Sequence, residues 1–295
     1  MTAPDFKTAC RMAKASDVTY YVDASGGMTS CPNYAGVGFV SLPTPVTADG
    51  INAALVGTTA TEVIVAFRGT LRLDTKDWDD FIDSLLDWIN DANAILVSVP
   101  YATGLVHRGF SESLQSLWGP VLTAVRAQQT ASGLPVVVTG HSKGGALASL
   151  GAIRLVNEAH ITPQTVYTFA SPRTGDSPFA AQYNQALPVD WRFENTNDIV
   201  PHLPPTSGLL EFLAEVDPRL RGLRSHDYQS VGHLEYFNWS GGLDQGSSLA
   251  LDAQRMLHLA ELLATGQIRQ IADDHSIEGQ YLPKTCRLTA PGSTA

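Results

Sequence analysis

The run Val136-Val137-Val138-Thr139 leads directly into Gly140-His141-Ser142-Lys143-Gly144, and then into Gly145-Ala146-Leu147-Ala148. The β-branched run reads as a buried strand and the small-residue continuation as a helix. Between them the chain must turn sharply, with Ser142 at the apex. Gly140 and Gly144 fall where a side chain would meet neighbouring backbone. A serine held this way stands exposed at a strand end, the geometry of a nucleophile elbow. Gly-x-Ser-x-Gly alone is common, and its bland reading is a strand-to-helix turn. The strand before it and the helix after it make the catalytic reading specific.

A serine hydroxyl is a weak nucleophile at neutral pH and needs a base, which needs an orienting acid. In elbow enzymes these follow the serine in the order acid, then histidine. Asp198 fits the acid: it lies in a polar loop after the strand expected over 189–195, before a proline-rich exit. Asp176 precedes a helix and Asp190 falls inside the strand, so both fit less well. Among the later histidines, His160 ends the elbow helix, His202 sits too near Asp198 and His258 lies mid-helix. His226, His233 and His275 remain, with His275 only slightly ahead of His233. An oxyanion hole needs backbone N–H donors aimed at the developing charge. Lys143 supplies one at the helix start. Thr70, after the central strand Val63-Ile64-Val65-Ala66-Phe67 and the turn Arg68-Gly69, supplies the other together with its hydroxyl.

The remaining pattern alternates strands with helices, which predicts an α/β fold with a mostly parallel central sheet in a single domain over 1–295. Helices are expected over 6–21, from the segment 106–110 onward to about 129 (with a kink or boundary at Pro120), and over 143–158, 177–186 and 248–264. Strands are expected over 37–42, 51–56, 62–67, 165–170, 189–195, 228–231 and 235–239. Residues 240–246 and 273–275 read as loops.

The net charge is −10, which argues against nucleic acid as a partner, since phosphate binding needs a basic face. No apolar run is long enough to span a membrane. Residues 1–17 show no basic stretch followed by an apolar core, so no secretory signal peptide is expected and the localisation stays open. Cys10, Cys31 and Cys286 lack metal-ligand spacing, and neither a metal nor an organic cofactor is expected.

Taken together, these segments resemble the class 3 lipases, the family of the fungal triacylglycerol lipases. Phe67-Arg68-Gly69-Thr70 resembles the family's oxyanion strand, and Val106-His107-Arg108-Gly109-Phe110 its His-x-Gly-Phe segment. Gly140-His141-Ser142-Lys143-Gly144-Gly145 resembles its elbow, and Ala170-Ser171-Pro172-Arg173-Thr174-Gly175 its Pro-Arg-x-Gly turn. Asn197-Asp198-Ile199-Val200-Pro201-His202-Leu203-Pro204 resembles the segment whose Asp is the triad acid. The resemblance runs from about residue 63 to 286. Two departures stand out. Ser230 replaces the His of the family's Tyr-x-His-x-Gly motif, and Lys143 follows the nucleophile where an apolar residue is frequent.

The resemblance implies an α/β-hydrolase fold and selects His275, since Asp274-His275 with Tyr281 resembles the family's catalytic-histidine segment. It implies an amphipathic helical lid at 71–93. Trp78, Phe81, Ile82, Leu85, Leu86, Trp88 and Ile89 would form the apolar face, and Asp79, Asp80, Asp83, Asp87 and Asp91 would keep the closed lid soluble. Exposing such a face costs about 25 cal/mol per Å2, which contact with a lipid–water interface offsets. Charge alone suggests that Lys143 pairs with a lid aspartate. The resemblance also implies a disulfide from Cys10 to Cys286. The activity implied is hydrolysis of lipid carboxylic esters, foremost triacylglycerol. Phospholipase A1 or feruloyl-type esterase chemistry on the same scaffold is the alternative, and a lipid-binding pseudo-hydrolase the non-enzymatic one.

Overall fold

The protein is described by a computed structural model covering residues 3–70, 95–205, 211, 227–265 and 267–290. Its large sheet contains β1 (Thr44–Ala48), β2 (Asn52–Thr58), β3 (Val63–Phe67), β6 (Val136–His141), β7 (Thr165–Phe169), β9 (Asp190–Asn195), β11 (His233–Phe237) and β12 (Leu243–Gln245). They lie in the order β1-β2-β3-β6-β7-β9-β11-β12. From β3 to β11 every pairing is parallel, and β1, β2 and β12 attach antiparallel at the two sides. A second small sheet holds β4 (Leu96–Val97), β5 (Val106–His107), β8 (Gly175–Asp176) and β10 (Tyr228–Gln229).

The central strands are apolar throughout because both faces of the sheet are covered. On β3, Val63, Val65 and Phe67 enter one core while Ile64 and Ala66 enter the other, the period of two that a strand imposes. The first core is closed by α2 (Arg108–Ser132), α3 (Lys143–Asn157) and α4 (Ser177–Ala186), through residues such as Leu114, Leu147 and Phe179. The second is closed by α1 (Phe6–Val18) and the C-terminal segment, through Met12, Ala13, Ile277 and Tyr281. That segment comprises α5 (Leu249–Ala264), α6 (Ile268–Asp274), a turn of π-helix (Ile277–Tyr281) and α7 (Leu282–Arg287). Cys10 and Cys286 form a disulfide, with Cα atoms 4.6 Å apart, so the two ends of the described chain are joined on that face.

Several local expectations change. Residues 37–42 form no strand. Tyr34–Val37 is a 3-10 turn closed by Gly38 in the left-handed conformation, and Val40 and Leu42 are exposed. The first edge strand starts only after Pro43. Residues 240–246 contain a strand, because Gly241 takes positive φ and the Asn238 side chain accepts the Ser240 and Gly242 N–H groups, closing a hairpin. The helix α2 runs through Pro120, which lies on its exposed side, so the carbonyl that proline leaves without its helical donor is not shut inside the core. Residues 273–275 are not a free loop: Asp273 and Asp274 end α6, and His275 is its C-cap.

Candidate active site

Ser142 sits between β6 and α3 with φ 58° and ψ −135°, a backbone conformation that costs an L-residue about 1–3 kcal/mol. The surroundings hold it there. Its N–H donates to Phe169 O (2.9 Å), and its carbonyl accepts the Gly145 N–H (2.8 Å). The glycines are steric requirements. A Cβ on Gly140 would lie 2.0 Å from Gly144 O, and one on Gly144 would lie 2.2 Å from Phe67 O. The helix therefore begins in contact with the end of β3. Gly69 continues that contact, since a Cβ there would lie 3.1 Å from Ser142 Cβ. Thr70 follows directly, so the segment expected to supply an oxyanion donor runs beside the elbow. The Lys143 N–H is the first of α3, where N–H groups lack an intrahelical acceptor.

Asp198 and His275 converge on Ser142. Asp198 leaves the carboxyl end of β9 and is buried. Its Oδ1 accepts the Val200 N–H (2.9 Å), and its Oδ2 accepts the Tyr281 hydroxyl (2.6 Å). His275 Nδ1 lies 3.0 Å from both carboxylate oxygens, and its Nε2 lies 3.0 Å from Ser142 Oγ. A carboxylate only accepts, so Nδ1 carries the hydrogen and the Nε2 lone pair faces the serine hydroxyl. This is the orientation that lets imidazole take a proton from serine.

The residue before His275 is clamped from β9. Asn195 Nδ2 donates to Asp274 O (2.8 Å), and Asn197 Nδ2 donates to Asp274 Oδ2 (2.9 Å). Lys284 Nζ and Trp239 Nε1 occupy the oxygens of these two amides. The exit of the Asp198 loop is fixed by Arg173, which donates to the carbonyls of His202 and Pro204. Arg255 of α5 reaches Glu194 and His202. Burial and three nearby arginines push the His202 imidazole well below its usual range, so it stays neutral. His202 thus acts in the loop, and His233 lies away from Ser142, its ring bonded to Pro188 O (3.1 Å).

Lys143 turns its ammonium back toward the sheet, donating to Asn52 Oδ1 (2.8 Å), while Asn52 Nδ2 reaches Ser116. Burial, and next the Arg68 guanidinium, bring its pKa down to about 8. The expected partner, a lid aspartate, lies outside the described residues, as do all of 71–93, including Trp78, Phe81, Ile82, Leu85, Leu86, Trp88 and Ile89. His107 caps α2 by accepting the Phe110 N–H, and burial with the Lys143 charge takes its pKa to about 4. Among the described residues no group of three or more His, Cys, Asp or Glu side chains is placed to hold a metal ion. No described helix is long and apolar enough to cross a membrane.

Sequence reasoning missed the Asn195 and Asn197 clamp, Tyr20 and the role of His141. Asn197 stands in the quoted acid segment, which is the only signal that pointed near it. Tyr20 precedes the elbow by more than a hundred residues, and nothing in the local pattern marks it.

The lipase (class 3) family model matches residues 64–208. A secreted mono- and diacylglycerol lipase of Fusarium solani is 32% identical over 146 residues, 49% of this chain and 40% of that protein. Phospholipase A1-II 3 of Oryza sativa subsp. japonica is 28% identical over 202 residues, 58% of this chain and 44% of that protein. The chain spans under half the length of these curated relatives. Among solved structures, a triacylglycerol lipase described as having a serine protease triad at its catalytic centre superposes with a TM-score of 0.62. It covers 86% of this chain and 90% of its own, at 22% identity, which shows the shared α/β-hydrolase fold.

Proposed function

We infer that this chain, which belongs to the class 3 lipase family, is a serine hydrolase cleaving carboxylic esters of lipids, foremost triacylglycerol. One observation carries the reading: His275 lies 3.0 Å from Ser142 Oγ through Nε2 while Asp198 holds its Nδ1. In the proposed reaction His275 takes the Ser142 proton as Oγ attacks the ester carbonyl. The backbone N–H groups of Thr70 and Lys143, with the Thr70 hydroxyl, receive the oxyanion. The tetrahedral intermediate collapses as His275 protonates the leaving alcohol. Water then enters the same way and releases the acid from the acyl-enzyme. Asp198 keeps the imidazole oriented and stabilises its cation. The residues need no cofactor for these steps. The whole of 1–295 is read as one hydrolase domain.

The test is labelling by a fluorophosphonate, with hydrolysis of p-nitrophenyl esters followed in parallel. Wild type should label and turn over, and Ser142→Ala should lose both with its melting temperature kept. A wild-type protein that resists the label and hydrolyses no ester of any chain length overturns the reading.

The similarity to a plant phospholipase A1 favours a second reading, cleavage of a phospholipid acyl ester at the same serine. Rates on long-chain triacylglycerol, short aryl esters and phospholipid vesicles separate the two. The lid proposed over 71–93 would open at a lipid–water interface. Activity should then rise sharply above the substrate solubility limit, and a smooth saturation curve through that limit would count against a lid.

A further inference from the structure

His141, the residue before Ser142, is buried, and both of its ring nitrogens are hydrogen-bonded. Nε2 lies 2.8 Å from the backbone carbonyl of His275, and Nδ1 lies 2.8 Å from the Tyr20 hydroxyl. A carbonyl only accepts, so Nε2 must carry the hydrogen. In the neutral ring Nδ1 then holds a lone pair, and Tyr20 must donate to it. With the ring neutral, the relay runs from Tyr20 Oη–H to His141 Nδ1, and from His141 Nε2–H to the carbonyl of His275.

The placement gives this relay a consequence at the reacting atoms. The His141 ring lies against the His275 ring, with centroids 4.8 Å apart. Asp198 fixes His275 only through its side chain. The backbone of His275 is the C-cap of a seven-residue helix, and its own N–H is spent on Ala272 O. His141 is therefore a side-chain anchor for the main chain of the base, and it stands next to the nucleophile in sequence. Tyr20 lies in the 3-10 turn Thr19–Tyr21 that ends α1, and a Cβ on Gly69 would meet its hydroxyl at 2.2 Å. One hydroxyl thus abuts the expected oxyanion segment and orients the anchor of the base.

We propose that Tyr20 and His141 are positioning residues for His275: Tyr20 holds the His141 ring in the orientation and tautomer that the His275 carbonyl requires, and His141 pins the His275 main chain at hydrogen-bonding distance from Ser142. This rests on the reading of Ser142 and His275 as nucleophile and base. Loss of the pinning bond lets the base drift by fractions of an ångström, which lowers the chemical step far more than substrate binding. The N-terminal segment, outside the stretch matched by the family model, becomes part of the catalytic support.

The test uses the full chain and a soluble p-nitrophenyl ester, with kcat and KM measured separately. His141→Leu removes the donor and should lower kcat at least thirtyfold with KM within twofold of wild type. His141→Gln places an amide N–H as many bonds from Cβ as Nε2 and should recover most of that loss. Tyr20→Phe removes one oxygen atom and should lower kcat three- to tenfold. Added to His141→Leu it should cost nothing more, because the relay is already broken. Should His141→Leu fail to fold, Tyr20→Phe and His141→Gln decide the matter. The proposal is overturned if Tyr20→Phe turns over at the wild-type rate. It is also overturned if His141→Gln is as slow as His141→Leu, or if the loss appears in KM with kcat intact. Ser142→Ala keeps the two readings apart. If it remains active, the assignment of the nucleophile fails. If it is inert while Tyr20→Phe behaves as wild type, only the positioning role fails.

Discussion

Tyr281 gives its phenolic hydrogen to Asp198 Oδ2 across 2.6 Å, on the same carboxylate that faces His275. Burial, and then the Asp198 charge, push the tyrosine well above its ordinary range, so it remains a neutral donor at any working pH. With the Val200 N–H on Oδ1, the carboxylate is fixed from both sides. Tyr281→Phe removes one of these donors. A hydrogen bond to a charged group is worth about 1.5–3 kcal/mol, so kcat/KM should fall about ten- to a hundredfold without vanishing. Unchanged kinetics would mean that the remaining partners suffice to hold Asp198.

The contact between Gly144 and the end of β3 leaves no room for a methyl group, since the clash is with backbone at 2.2 Å. Gly144→Ala should destabilise the protein by about 1–3 kcal/mol or more and separate the elbow from Gly69 and Thr70. Thermal melts and fluorophosphonate labelling check both effects. Full labelling at wild-type rate would show that the elbow tolerates the shift.

Lys143 carries a buried ammonium whose pKa falls to about 8 from an ordinary value near 10.5. The folded state thus binds fewer protons than the unfolded chain between these values. Stability from this group therefore rises with pH across that window, and below about pH 8 the buried charge is a cost. Lys143→Met should remove that dependence. Comparing urea unfolding at pH 7 and pH 10, wild type should gain up to about 3 kcal/mol relative to the variant. Parallel pH curves for the two proteins would contradict it.

The Cys10–Cys286 bond closes a sequence separation of 276 residues. Removing it with the double substitution Cys10→Ala and Cys286→Ala should cost about 2–4 kcal/mol. Melting with and without reductant measures this in wild type, and the double variant should be insensitive to reductant. Cys31 should stay unmodified by iodoacetamide at pH 8, because burial, opposed in part by the Asn33 N–H, leaves its thiol raised to about 11.

Much of the scaffold was legible from short patterns. Strand 63–67 is continuously apolar because helices cover both its faces, and that composition is visible in a window of five residues. The segments that misread were those whose partner is remote or whose turn is made by side chains. Residues 37–42 look like a strand but have Gly38 and Pro43 at their ends and no partner row. Residues 243–245 look like loop until the Asn238 cap turns them back onto β11. The candidate site divides in the same way. Ser142 and Asp198 are marked by local punctuation, glycines around one and a strand-end loop around the other. Three histidines remained open until the family resemblance selected His275.

What the sequence determined by itself is the elbow and the order of elements around it, because glycine sterics and the period of two act over a few residues. The local pattern left partly open which distant groups meet there: the resemblance pointed to Asp198 and His275, and only the tertiary structure gave their distances and brought in Tyr20. His275 reaches Ser142 across 133 residues and Asp198 across 77, and Tyr20 reaches His141 across 121. A hydrogen bond depends on separation in space to a few tenths of an ångström, and separation along the chain carries almost none of that information. The sheet and the Cys10–Cys286 closure bring these ends together, and the polarity of each bond then follows from which atoms donate.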